Sequence, residues 1–127
     1  MITAKLGREI IVFGIIGVLA TALHYSIALL SVELVALSVY LGNLFGYLCA
    51  VCVSYFGHGI FTFRTKLSFS IAGKFVVGSI VVFLFGETML LLMQKIFATP
   101  HRISLALVVT SSPIISFIFN KFWVYTK

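Results

Sequence analysis

Four long apolar runs constrain this chain more than any other feature of its sequence. In chain order they cover residues 9–30, 38–60, 73–93 and 104–122. About 20 apolar residues cross a bilayer as a helix, which satisfies every backbone hydrogen bond within the segment. The connections between the runs are short. The sequence therefore predicts an all-α integral membrane protein with four transmembrane helices, forming a single membrane domain over 1–127.

The composition agrees with a membrane location. Hydrophobic residues make up 61% of the 127 residues and charged residues only 9%, whereas soluble domains carry about 25% charged residues. A chain this short has too little interior to hide so much apolar surface from water. The net charge of +6 would suggest nucleic acid for a soluble protein. Here the basic residues lie between apolar runs, so we expect no nucleic-acid partner.

The N-terminal run is also similar to a secretory signal peptide. Lys5 and Arg8 precede it, and Ala20-Thr21-Ala22 resembles a cleavage site. The apolar run continues through Leu30, which is long enough to span, so we interpret it as the first helix.

The basic residues predict the orientation. Cytoplasmic connections of membrane proteins are enriched in lysine and arginine. In a four-span chain, Lys95 and Arg102 fall on one side together with Glu33, and seven basic residues fall on the other: Lys5, Arg8, Arg64, Lys66, Lys74, Lys121 and Lys127. This bias predicts a multi-pass protein of the cytoplasmic (inner) membrane with both termini in the cytoplasm.

The two halves of the sequence finish in similar segments. The run "SYFGHGIFTFRT" begins at Ser54, and "SFIFNKFWVYTK" begins 62 residues later at Ser116. The same offset places the first helix on the third and the second on the fourth without a gap. We therefore predict two parallel-oriented two-helix repeats, over about 9–66 and 71–127, related by an axis along the membrane normal.

Two ionisable residues lie deep within the predicted spans. His24 and Glu87 each lie about 20 Å from the cytoplasmic edge, at 1.5 Å per residue. Ionisable groups are costly at this depth, and the sequence predicts that both face one polar cavity. The alternative for His24 is a histidine inside the bundle that is hydrogen-bonded to a backbone carbonyl and has no role in transport.

Polar residues recur along the second and fourth helices. They are Asn43, Tyr47, Ser54 and His58 on the second helix, and Ser112, Ser116 and Asn120 on the fourth. We expect these two polar rows to line the same cavity, although serines also bond harmlessly to their own helix. Gly42-x-x-x-Gly46 and the small residues Gly14, Gly17 and Thr21 are typical of close helix packing.

The cytoplasmic ends of the polar rows carry cations. Arg64 and Lys121 lie nearest to the rows, and we expect them to contact a phosphate. Lys66 and Lys74 are expected only to set the orientation.

Several chemistries are missing from the sequence. It has no P-loop, no GxGxxG motif and no aspartate. Cys49 and Cys52 are interpreted as small buried residues, since no clustered partners accompany them for a metal site. We expect no catalytic residues, no metal and no cofactor, and hence a protein that is not an enzyme.

The chain resembles the GtrA-like family of small four-span membrane proteins over nearly its whole length. The similarity lies in Phe13-x-x-x-Gly17 followed by Thr21 and His24, in Asn43 near the start of the second helix, and in the endings "GIFTFRTK" and "NKFWVYTK". In that family the position of His24 is polar. The first ending usually has asparagine and a basic residue where this chain has His58 and Gly59, which moves the expected phosphate contact toward Asn120 and Lys121.

The resemblance implies a function. It implies translocation of a polyprenyl-phosphate-linked monosaccharide across the cytoplasmic membrane, for O-antigen or other cell-envelope glycan assembly, beside a membrane glycosyltransferase that loads the lipid. Four helices make a thin wall around a sugar, so we also expect a homodimer. Two alternatives stay open: a small proton-coupled exporter of cationic compounds that uses Glu87, and a membrane anchor for a glycosyltransferase that transports nothing.

Overall fold

The computed structural model describes residues 2–126 and contains four long helices. In chain order these are α1 (Ile2–Glu33), α2 (Val39–Gly57), α3 (Phe69–Lys95) and α4 (His101–Phe119). A π-helical segment continues α2 over His58–Thr62, and another continues α4 over Asn120–Val124. All four helices are long and apolar enough to cross a membrane, and no strand occurs in residues 2–126. This confirms the predicted all-α, four-span membrane protein.

Short polar segments begin and end the helices. Ser38 and Ser68 are N-caps: the Oγ atom of each accepts a hydrogen bond from a backbone N–H three residues later, at 3.2 Å. Ala36 and Ala98 adopt left-handed φ angles of 63° and 49° in the turns that follow α1 and α3. Pro113 lies inside α4, which continues through it to Phe119.

The helices form an antiparallel ring in which each contacts its neighbours in sequence, and α4 closes against α1. Glycines allow the closest approach. A Cβ atom at Gly42 would lie 2.8 Å from the Ala28 carbonyl oxygen, and one at Gly86 would lie 3.1 Å from a Val108 methyl group. The prediction of packing for Gly42 and Gly46 is therefore confirmed. Gly14 and Gly17 are different, because a Cβ atom there would meet no other helix within 4 Å.

Charged residues lie at both ends of the helix bundle. Arg8, Lys74 and Lys121 make contacts at one end, which we call the basic end. At the opposite end Arg102 pairs with Glu33 at 2.5 Å. Lys127 lies outside the described residues, so its predicted place at the basic end is not described.

Apolar side chains cover the outside of the ring, as expected for contact with lipid. Cys49 and Cys52 belong to this surface, since both are exposed. The interpretation of these cysteines as buried residues was wrong. In a membrane protein the lipid face of a helix is as apolar as the packed face, so the apolar character of a cysteine does not show which of the two it occupies.

Most boundaries of the two halves recur at the predicted offset, except the starts of α1 and α3 at residues 2 and 69, which are 67 residues apart. α2 and α4 begin at residues 39 and 101, and the π-helical segments cover 58–62 and 120–124. α1 and α3 end at residues 33 and 95. Each of these pairs of boundaries differs by 62 residues, the offset that aligns the two sequence endings.

Candidate functional site

A polar cavity lies at the centre of the bundle. Its volume is about 60 Å³, and all four helices contribute to its walls. Seven of the predicted site residues line it: His24, Tyr47, Ser54, His58, Ser112, Ser116 and Asn120. Six residues of the two polar rows of α2 and α4 therefore face one space, whereas Asn43 of the α2 row does not line it. That space has room for only a few water molecules.

A hydrogen-bonded chain of three side chains lies toward the opposite end. The Nε2 atom of His24 is 2.8 Å from Oδ1 of Asn43, and Nδ2 of Asn43 donates to Oε1 of Glu87 at 2.7 Å. The amide oxygen of Asn43 faces the imidazole, so it accepts a hydrogen bond from Nε2–H of His24. His24 and Glu87 are thus linked through Asn43. The sequence predicted that both face one polar cavity, but only His24 lines it.

Burial differs along this chain of three residues. Asn43 is 1% exposed and His24 is 4% exposed, whereas Glu87 is half-buried. Glu87 and Asn43 do not contribute to the cavity walls, while His24 does. The absence of a side chain at Gly46 positions His24, because a Cβ atom at Gly46 would lie 2.8 Å from the imidazole Cδ2.

Tyr47 and the small side chains complete the middle of the cavity. The Tyr47 hydroxyl donates to the Ser79 carbonyl at 2.9 Å, which ties α2 to α3. Ser112 donates to the Val108 carbonyl of its own helix at 2.9 Å. A serine bonded in this way keeps lone pairs for another donor, so the cavity wall retains hydrogen-bonding capacity.

Aromatic rings close the cavity toward the basic end. The Phe13 ring stacks on His58 with centroids 4.0 Å apart and an interplanar angle of 8°. Phe117 meets Phe13 edge-on at 4.9 Å. The Nδ1 atom of His58 lies 3.1 Å from the Thr62 hydroxyl. Together, Phe13, His58, Phe63 and Phe117 form an aromatic floor between the cavity and the cations beyond it.

A buried ion pair lies just beyond this floor. The Lys121 ammonium is 2.5 Å from a carboxylate oxygen of Glu9, which is only 2% exposed. Lys5 lies 4.0 Å from the other oxygen. The sequence interpretation placed a phosphate at Lys121 and missed Glu9. One signal was available, since Glu9 is the first residue of the first apolar run and the only acidic residue near the predicted cytoplasmic side.

The other cations of the basic end have different surroundings. Arg64 is exposed and has a left-handed φ of 49°. Arg8 donates to the Phe61 and Thr62 carbonyls, with Nη1 2.9 Å from the Thr62 oxygen. Lys74, expected only to set the orientation, donates to the Trp123 carbonyl at 2.8 Å. Arg8 and Lys74 thus donate to backbone carbonyls at the ends of the two π-helical segments, where cations interact favourably with the helix dipole.

Tyr125 anchors the second π-helical segment on the first half. Its hydroxyl donates to the Tyr55 carbonyl at 2.7 Å. Burial raises the pKa of the Tyr125 phenol, which keeps it a neutral donor. In residues 2–126 no three histidine, cysteine or acidic side chains gather where they could hold a metal ion.

These features define a class of small multi-pass membrane protein: a four-helix bundle with a buried polar centre and a cationic end. Residues 12–125 match the family described as the GtrA/DPMS transmembrane domain, and the chain belongs to that family. Membership associates the chain with glycan-lipid carrier biosynthesis and confirms the resemblance found in the sequence. Neither the curated proteins nor the solved structures include a significant match to the chain.

Proposed function

We propose that this protein translocates a polyprenyl-phosphate-linked monosaccharide across the cytoplasmic membrane, without chemical change to the lipid. The observation that carries the proposal is the central cavity, where polar residues of α1, α2 and α4 converge inside a bundle that is otherwise apolar. A sugar loses its water on entering hydrocarbon, and this loss is costly unless new hydrogen bonds replace it. The cavity side chains supply such bonds in the interior of the membrane.

The structure corresponds to a closed state in this mechanism. A cavity of about 60 Å³ is too small for a monosaccharide, because pockets for small ligands measure about 300–1,000 Å³. The aromatic floor bounds it toward the basic end, and the His24–Asn43–Glu87 chain bounds it toward the opposite end. Translocation then requires these two boundaries to open in turn. The sequence has no nucleotide-binding motif, so we propose that a concentration or ion gradient drives the movement.

We further propose that the two halves are parallel repeats and that the basic end faces the cytoplasm. Recurrent element boundaries support the repeat, and so do two ring pairs at equivalent positions. Phe13 meets Phe117 at 4.9 Å, and Phe75 meets Tyr55 at 5.0 Å. The excess of basic residues supports the orientation. We also propose a homodimer, because four helices form only a thin wall around a sugar. A partner glycosyltransferase is proposed because the family resemblance implies one.

Adjacent serines of α4 provide a matched test. Ser112 lines the cavity and Ser111 does not. In proteoliposomes supplied with polyprenyl-phosphate hexoses, we expect Ser112→Val to lower the initial rate of translocation by about tenfold or more. The valine removes a hydroxyl and occupies cavity volume. We expect Ser111→Val to transport like the parent, and equal rates for both variants would contradict the cavity as the sugar path.

The same assay separates the alternatives when Glu87→Gln is added. This substitution keeps shape and hydrogen-bonding capacity, so the protein should fold while transport that depends on the carboxylate falls. The exporter function would be identified by two results together. The parent moves no sugar-lipid, and Glu87→Gln loses the resistance to lipophilic cations that the parent confers. No transport of either kind by a folded parent, together with retained glycosyltransferase binding, would identify the anchor.

A further inference from the structure

A groove runs along the outside of the bundle between α1 and α4. Its volume is about 550 Å³. Small and apolar residues form most of its walls: Gly14, Val18 and Ala22 on α1, with Ala106, Val109 and Pro113 on α4. Gly14 leaves open space, since a Cβ atom there would meet nothing within 4 Å. The size falls within the range of about 300–1,000 Å³ found for small-ligand sites.

The groove borders the polar cavity. Five residues contribute to both spaces: Phe13, Gly17, Thr21, Val109 and Pro113. Only this layer of side chains separates the lipid-facing surface from the polar interior. We call this interface between α1 and α4 the α1–α4 seam. A molecule with an apolar chain and a polar head could place its chain in the groove on one side of the seam and its head in the cavity on the other.

The seam between α2 and α3, which is equivalent under the 62-residue offset, is filled. Tyr47 packs on Phe83 with ring centroids 5.4 Å apart, whereas the equivalent residues of the α1–α4 seam are the smaller Val109 and Thr21, which line the groove. The Tyr47 hydroxyl also bonds across this seam to the Ser79 carbonyl. Helices α2 and α3 are therefore held together by large rings where α1 and α4 leave space.

Two cations, Lys5 and Lys121, lie beside the single carboxylate of Glu9 near one end of the groove, and this excess of positive charge favours an anionic head. The Glu9–Lys121 ion pair links α1 to α4, and Glu9 lies one turn, about 6 Å, below Phe13 at the end of the groove. The Lys121 side chain is 22% exposed, whereas that of Glu9 is 2% exposed. A phosphate presents the same kind of anionic oxygen as the Glu9 carboxylate and would compete with it for Lys121.

We propose that the α1–α4 groove binds the isoprenoid chain of a polyprenyl-phosphate lipid, with its phosphate at Lys121 and its head directed to the central cavity. The proposal rests on the proposed function, and it gives the lipid chain a site on the protein instead of leaving it in the bulk bilayer. The groove holds the first isoprene units, while the rest of the chain stays in the bilayer. The α1–α4 seam is then the lateral entrance for the sugar.

Two glycines allow a matched binding experiment. Gly14 lies in the groove, and Gly73 lies on the exposed surface of α3. A Cβ atom meets nothing within 4 Å at either position. The probe is polyprenyl phosphate without a sugar, titrated into phosphatidylcholine nanodiscs that contain the full chain. We expect Gly14→Leu to raise the Kd by about tenfold or more, which is ~1.4 kcal/mol, and Gly73→Leu to change it by less than about twofold. If Gly14→Leu fails to fold, Ala22→Leu fills the same groove.

Two other lipids test the two halves of the proposal. Polyprenol, which lacks the phosphate, should bind the parent at least about tenfold more weakly than polyprenyl phosphate; equal affinities would remove the phosphate contact. Phosphatidic acid carries a phosphate on acyl chains. If it binds the parent as tightly as polyprenyl phosphate does, and Gly14→Leu weakens both lipids equally, the groove is not a site for isoprenoids. Unchanged lipid binding with a lower dimer fraction in Gly14→Leu would assign the groove to a second copy.

The binding experiment stands apart from the translocation assay. It uses a lipid without a sugar and measures no movement across the membrane. A parent that binds polyprenyl phosphate in the groove but moves no sugar would refute the transport function and keep the lipid site. Normal transport by the Gly14→Leu variant would refute the site and keep the transport function.

Discussion

Asn43 determines how the polar groups are arranged at one end of the central cavity. It is uncharged and almost fully buried, and its amide bonds to His24 on one side and to Glu87 on the other. An amide is suited to this position because it has both a donor and an acceptor. Two ionisable side chains from different helices thus have a partner in the membrane interior.

Replacing Asn43 should leave both neighbours without that partner. We expect Asn43→Ala to lower the stability of the protein by about 1–3 kcal/mol, the cost of unsatisfied buried groups. Thr88→Ala is the control, since Thr88 is exposed beside Glu87 and bonds only to its own helix. Thermal unfolding of both purified variants in one detergent measures the difference. Equal melting temperatures would show that the three-residue chain contributes nothing to stability.

Among the helices, the α1–α2 pair is the most closely packed where α2 has glycine. Gly42 faces the Ala28 backbone, and Gly46 faces the backbone and ring of His24. Small residues allow such contacts, and van der Waals packing supplies much of the association between helices in lipid. The position of His24 beside the cavity therefore depends on a glycine of the neighbouring helix.

A single methyl group at this contact should separate the helices. We expect Gly46→Ala to destabilise the bundle by about 1–3 kcal/mol, as overpacking does. Gly73→Ala has open space and should be neutral or stabilising by up to about 1 kcal/mol from helix propensity. Denaturation in mixed micelles compares the two. A Gly46→Ala variant as stable as the parent would mean that α1 and α2 separate without cost.

At the level of the whole molecule, the bundle has one end with many basic residues and one end with few. Three of those cations are used within the protein: Lys121 pairs with Glu9, and Arg8 and Lys74 bond to carbonyls at the ends of the π-helical segments. Their positive charge still disfavours transfer across the membrane during insertion. Arg8 and Lys74 thus bond to the helix ends, and we propose that the same charges also orient the protein in the membrane.

Reporter fusions test the orientation directly. We expect fusions after Lys66 and after Lys127 to be cytoplasmic and a fusion near Thr99 to be external. The reason is the charge bias of seven basic residues against two. Alkaline phosphatase and green fluorescent protein fusions report the two sides independently. An external C-terminus would contradict both the orientation and the four-span parallel repeat.

Much of this arrangement follows from the sequence. Apolar runs of about 20 residues have no stable state in water and one regular state in lipid, so the number and approximate extent of the helices can be read directly. α1 and α3 begin earlier than predicted, at Ile2 and Phe69, because a helix continues past the apolar core into the interface. The polar rows on α2 and α4 were also predictable, since residues three and four apart share one helix face.

The contacts between helices required the three-dimensional structure. Sequence spacing places Asn43, His24 and Glu87 at similar depths, but the rotation of each helix decides which of them touch. Those rotations depend on packing at Gly42 and Gly46, not on hydropathy, because lipid is as apolar as the interior of the bundle. For the same reason the sequence did not reveal that Glu9 holds Lys121, that Cys49 and Cys52 face lipid, or that a groove opens between α1 and α4.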